Sequence, residues 1–141
     1  MLSSLGDEID FSVVDVISSP EQLMAIRREI QGVHVSDFVK EYIVELVQRT
    51  REHASFSAGA SPRASRCLYQ GGKSHAAILG RDYVTPEDIK EIFLPVLGHR
   101  VQLSNEARYT RRTEDDILRE ILDSAPVPPQ GGEIFNEASG K

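Results

Sequence analysis

The sequence is poor in the residues that build rigid or reactive centres. Cysteine occurs once, as Cys67, and tryptophan is absent from the 141 residues. A single thiol excludes an intrachain disulfide and any zinc site built on cysteines, and fits a buried, reduced residue of a cytosolic protein. No stretch approaches the ~18 consecutive apolar residues that cross a bilayer, so no membrane span is expected. The opening MLSSLGDEID lacks the basic region and apolar stretch of a secretion signal, which makes the cytoplasm the expected location. An excess of basic charge is also missing: 16 Lys and Arg face 22 Asp and Glu, for a net charge of -6. Dedicated nucleic-acid binders carry a basic footprint. The main basic cluster here, Arg108, Arg111 and Arg112 around Tyr109, lies between acidic stretches and reads as a solvated loop. No nucleic-acid partner is expected.

Constellations of catalytic residues are lacking too. His34, His53, His75 and His99 have no metal-ligand spacing on one helix, and no metal site is expected. No Ser-His-Asp, Cys-His or paired-carboxylate arrangement stands out. His99-Arg100 sits where terminal helix carbonyls need donors. Gly72-Lys73-Ser74 imitates the end of a P-loop, but the first glycine of that pattern would fall on Cys67. The segment also lies inside a helical pattern with no strand before it, so it reads as a chance match.

What is present is helical punctuation. Hydrophobic residues make up 40% and charged residues 27%, as in a single soluble domain. Ser19-Pro20-Glu21-Gln22 opens a first helix with a capping box, its face marked by Leu23, Ile26 and Ile30 and its end by Gly32. Ser36 starts a second, with Phe38, Val39, Tyr42, Ile43, Leu46 and Val47 at helical spacing to about Arg51. Ser61-Pro62 starts a third, with Ala64, Cys67, Leu68, Gly71, Ile78 and Leu79 as its apolar face and Gly80 as its stop. Gly71-Gly72 in its middle admits close packing or a kink. Thr85-Pro86-Glu87-Asp88 starts a fourth, bent by Pro95 and stopped by Gly98. Thr113 caps a fifth, with three acids in its first turn.

Two segments read as extended. Residues 11–17, FSVVDVI, are β-branched and aromatic, and His99 to Leu103 alternates; the two could pair as a ribbon. The expected architecture is therefore mainly α, a small bundle of about five helices with a short two-stranded β ribbon. The expected organisation is a flexible segment at 1–10, the helical domain at 11–128 and a disordered tail at 129–141.

Gly59 to Ala64, GASPRA, carries the sharpest functional signal. Ser61 suits the N-cap and Pro62 the first helical position, so Arg63 falls in the first turn, near the positive pole of the helix dipole. A cation there is unfavourable by up to ~1 kcal/mol, which suggests that an anion such as a phosphate meets it. The other reading is a surface arginine paired with a carboxylate on a neighbouring helix.

Four motifs occur in order: HVSDFVKEYIVELVQRTR at 34–51, GASPRAS at 59–65, GRDYVTPEDIK at 80–90 and PVLGHRVQL at 95–103. Together they resemble the C-terminal lid subdomain of MoxR-family AAA+ ATPases, over roughly residues 13–128. The resemblance implies a helical lid that follows a P-loop core. It implies that Arg63 is the sensor 2 residue contacting the γ-phosphate of ATP, with Ser61 and Pro62 beside it at the nucleotide. It further implies Mg held at that core, a ring homo-oligomer, usually a hexamer, and chaperone-like remodelling. A partner bearing a von Willebrand factor type A domain belongs to the same expectation. Walker A, Walker B, sensor 1 and the arginine finger do not occur in this sequence, so the lid is expected to lack ATP turnover alone and to depend on its own AAA+ core. Whether Arg63 would act within its subunit or across to a neighbour stays open. The alternative is a free-standing helical interaction module without nucleotide chemistry.

Overall fold

A computed structural model describes residues 14–127. The segments expected to be a loose start, 1–10, and a tail, 129–141, lie outside the described residues. Six helices occur among those described: α1 (Pro20–Gly32), α2 (Asp37–Glu52), α3 (Pro62–Ile78), α4 (Pro86–Leu97), α5 (Asn105–Tyr109) and α6 (Glu114–Ser124). Two short strands join them, β1 (Phe56–Ala58) and β2 (Gln102–Leu103).

The helix starts follow from local chemistry. Ser19, Thr85 and Thr113 each accept the backbone N–H three residues on, and the side chain at that third position returns a bond to the cap. These reciprocal bonds satisfy two donors that a helix end otherwise leaves free. Ser36 and Ser104 cap α2 and α5 through the hydroxyl alone. The short helix α5 was absent from the sequence expectation: the Arg108–Tyr109 cluster read as loop forms its last turn, and Arg111 follows in the left-handed region at φ 57°.

The core lies between α2, α3, α4 and α6. Leu46, Leu68, Ile89, Phe93, Leu97, Ile117 and Leu118 have no exposed surface. Each such side chain contributes about 1.5–3 kcal/mol through burial. Helix α3 packs closely on α4, and Gly72 permits it. A Cβ on Gly72 would lie 2.7 Å from Ile89 Cδ1 and 3.1 Å from Val84 Cγ1. Gly72 thus serves close packing.

Four expectations are corrected. Residues 14–17 form no strand; Val14, Val16 and Ile17 are exposed, and residues 11–13 lie outside the described set. The ribbon partner of β2 is instead β1, antiparallel, with Phe56 opposite Leu103 and Ala58 opposite Gln102. Phe56 and Leu103 both enter the core, which gives this pairing an apolar face that the exposed 14–17 segment lacks. The Leu23–Ile26 face of α1 is not core: α1 buries no residue, and Leu23, Met24 and Ile26 are about half exposed. Likewise Ile78 and Leu79, past the last turn packed on α4, are exposed, and the inward positions there belong to Gly72, Lys73 and Ala76.

Candidate functional site

The loop from Gly59 to Arg63 is held from below by the last turn of α2. Thr50, fully buried, donates its hydroxyl proton to the Val47 carbonyl at 2.7 Å and accepts the Ala60 N–H at 2.9 Å. Gly59 lies against the same turn so closely that a Cβ would stand 2.5 Å from the Thr50 carbonyl oxygen and from Arg51 Cα. Only glycine fits that approach. Ala60 and Ala64 flank the turn and are fully buried. The sequence reading passed over Thr50, since a threonine at a helix end does not reveal which distant amide it will meet.

Ser61 stands at the N-cap with extended dihedrals, but its side chain makes no capping bond. Its backbone carbonyl takes the Ala64 N–H instead, at 2.8 Å, which leaves the exposed hydroxyl free. Pro62 occupies the first helical position and contributes no N–H. Arg63 follows at the second, exposed to solvent. Among the described residues it forms neither an ion pair nor a side-chain hydrogen bond, so the carboxylate partner of the surface reading is not found. No acidic residue stands in the first turn of α3 to offset the dipole. An unpaired guanidinium at the positive end of a helix suits an anionic oxygen. Beside it an open groove of about 550 Å³ runs between α2 and the first turn of α3, lined by Val44, Gln48, Arg51, Pro62 and Ser65 among others.

A second polar cluster sits at the far end of α3. Asp88 is buried at 2% exposure. It accepts from the Thr85 N–H at 2.7 Å, from Arg81 Nη1 at 2.8 Å, and lies 2.8 Å from His75 Nδ1. Burial pushes its carboxyl up, but the bonds from Arg81, Thr85 and His75 overcome this and hold it well below the usual carboxylate range. The cluster ties α3, the Gly80 turn and the start of α4 together.

Lys73, in the false P-loop, is helical and buried; its ammonium donates to the Gln31 carbonyl at 2.5 Å and lies 5.5 Å from the Tyr69 ring centre. Arg100 Nε donates to the Val96 carbonyl at 3.0 Å, in the capping role read for the His99-Arg100 pair. No group of three or more metal-ligating side chains occurs among the described residues. Among the described residues no helix is long and apolar enough to cross a membrane.

The comparisons with known proteins fit this geometry. The AAA lid domain family matches residues 48–121, which include Thr50, the Arg63 turn and the Asp88 cluster. The uncharacterised Bacillus subtilis protein YeaC is 38% identical over 117 residues, covering 83% of this chain and 37% of its own length. Chaperone MoxR1 of Mycobacterium tuberculosis is 30% identical over 112 residues, covering 70% of this chain and 30% of its own. A crystal structure of a Cytophaga hutchinsonii protein assigned as an ATPase superposes with a TM-score of 0.73 at 35% identity, covering 76% of this chain and 35% of that one. The chain thus spans about a third of the length of the relatives it matches. With six helices and a short ribbon among the described residues, and a family match across its central half, the chain belongs to the AAA lid domain family, as a lid region of the MoxR type.

Proposed function

We propose that this chain is the nucleotide-sensing lid of a MoxR-type AAA+ ATPase, with Arg63 as its phosphate contact. The observation that carries the reading is the state of Arg63: exposed, without an anionic partner among the described residues, and carried on a turn pinned to buried structure. ATP supplies the phosphoanhydride that is cleaved, and a P-loop core would hold its Mg. The part played by this chain is to bring a fixed positive charge to an oxygen that is negative in the ground state and more so during transfer. Such a charge costs no reorganisation when it is already in place.

In the full-length protein the lid would close over the nucleotide and move when the phosphate is lost, as hinge-type switches do. The same reading extends to a ring homo-oligomer, a hexamer, acting in the cytoplasm as a chaperone-like remodeller with a von Willebrand factor type A partner. The name of the Mycobacterium tuberculosis relative, Chaperone MoxR1, supports the remodelling role.

The test is Arg63→Ala in the full-length ATPase. The steady-state rate should fall by about tenfold or more, as expected when a transition-state charge contact is lost, with the circular dichroism spectrum unchanged. A rate equal to that of the unaltered protein would sink the reading. The 141-residue chain alone should show no ATP turnover.

A further inference from the structure

We propose that Thr50 is a positioning residue for Arg63: its buried hydroxyl fixes the Gly59–Ser61 loop, and with it the turn that presents the guanidinium. This rests on the phosphate-sensing reading of Arg63. A hydroxyl has one proton to give and two lone pairs. Thr50 gives its proton to the Val47 carbonyl and accepts the Ala60 N–H, so one side chain couples the end of α2 to the entry of α3.

Two features make the loop depend on this bond. Each of the other helices described has an N-cap side chain that accepts a backbone N–H, whereas Ser61 makes no such bond. The first turn of α3 is therefore located by a residue from another helix. The loop is also short and tethered at its other side, because β1 ends at Ala58 in the ribbon with β2. Between that ribbon and Arg63, the Thr50 hydroxyl bond to Ala60 is the side-chain hydrogen bond that anchors the backbone. The close seat of Gly59 on the Thr50–Arg51 backbone leaves the loop no slack to compensate.

Thr50→Val keeps the shape and removes both bonds, leaving the Ala60 N–H buried and unpaired. Thr50→Ser keeps the hydroxyl. Amide hydrogen exchange in the 141-residue chain gives the first readout. In the unaltered chain Ala60 should be protected like core amides; exchange as fast as an exposed loop amide would overturn the proposal without any variant. In Thr50→Val the exchange of the Ala60 and Ala64 amides should rise about tenfold more than that of core amides such as Leu46 and Phe93. A uniform rise across the chain would mean a merely structural role and would also overturn it.

The second readout is a double-mutant cycle in the full-length ATPase. Thr50→Val should lower the ATPase rate about tenfold when Arg63 is present and by less than about twofold when Arg63 is already alanine. Thr50→Ser should restore most of the rate. Equal losses in both backgrounds would show that Thr50 acts elsewhere. If Arg63→Ala alone leaves the rate unchanged, the phosphate-sensing reading fails, while the exchange experiment still decides whether Thr50 holds the loop.

Discussion

Arg81, just past the Gly80 turn, clamps Asp88 with both terminal guanidinium nitrogens, Nη1 lying 2.8 Å from Oδ2, while Asp88 also caps α4 through Thr85. One buried carboxylate thus serves a helix cap and an ion pair at once. Gly80 itself takes φ +73°, which lets the chain turn back sharply enough for Arg81 to make the reach.

The Asp88 arrangement predicts an acid-sensitive fold. The carboxyl is held below its ordinary pKa of 3.8 in the folded chain. A depressed folded pKa stabilises the protein above the unfolded value and is lost as the pH falls from about 4 toward the folded value. Urea unfolding followed from pH 6 down to pH 2.5 should therefore show stability falling below about pH 4. Asp88→Asn should cost about 3 kcal/mol at neutral pH, because it strands Arg81 beside a buried site, and should flatten that acid limb. An acid limb as steep in the variant as in the parent would assign the effect to other carboxylates.

The twin glycines of α3 predict opposite outcomes for the same change. Alanine is worth about 1 kcal/mol more than glycine inside a helix. At Gly71 the added methyl would meet Ile92 Cδ1 at 2.9 Å, the end of a half-buried side chain with room to turn. Gly71→Ala should be neutral or stabilising by up to about 0.5 kcal/mol. At Gly72 the methyl would meet Ile89 and Val84, both buried, and overpacking costs about 1–3 kcal/mol. Gly72→Ala should lower stability by about 1 kcal/mol net, read from the urea midpoint. Equal shifts at the two positions would mean that α3 and α4 are not in such close contact.

Lys73 predicts a local effect. Its buried ammonium has no carboxylate partner among the described residues and spends its bond on the Gln31 carbonyl near the end of α1. Burying that charge is costly, so removing it should do little to the global fold. Lys73→Met keeps the apolar stem and should shift the unfolding free energy by less than about 1 kcal/mol. The amides of α1, which buries no side chain of its own, should nevertheless lose protection in hydrogen exchange. A large global loss with α1 unchanged would mark Lys73 as a core element instead.

What was legible in the sequence was whatever a few neighbouring residues decide. Ser19, Ser36, Thr85 and Thr113 announce their helices because a capping side chain and a first-turn acid act within one turn, joined at Ser19 and Thr85 by a proline. The position of Arg63 at the second residue of α3 is of the same kind. Choices between distant partners were not legible. Residues 14–17 have the composition of a strand, yet β2 pairs with Phe56–Ala58, because Phe56 and Leu103 both reach the core. The α1 face has helical spacing, but spacing does not say whether another surface lies opposite. Ser61 looks like a cap by type, and only its carbonyl acts as one. The Thr50–Ala60 bond joins residues ten apart through a loop, and no local pattern encodes it.

The ribbon closes the base of the α3–α4 hairpin. The hairpin leaves β1 just before Arg63 and returns in β2, and Ser57 and Gln102, 45 residues apart in sequence, meet there. Arg63 therefore stands close to the ribbon, and the Gly80 turn at the opposite end, about 25 Å away along α3. That end is bonded to the connector between α1 and α2, where His34 N–H donates to the Asp82 carbonyl at 2.7 Å and Val84 N–H to the His34 carbonyl at 3.0 Å. With both ends hydrogen-bonded and both helices in the core, the hairpin joins the arginine turn to that connector as one packed unit.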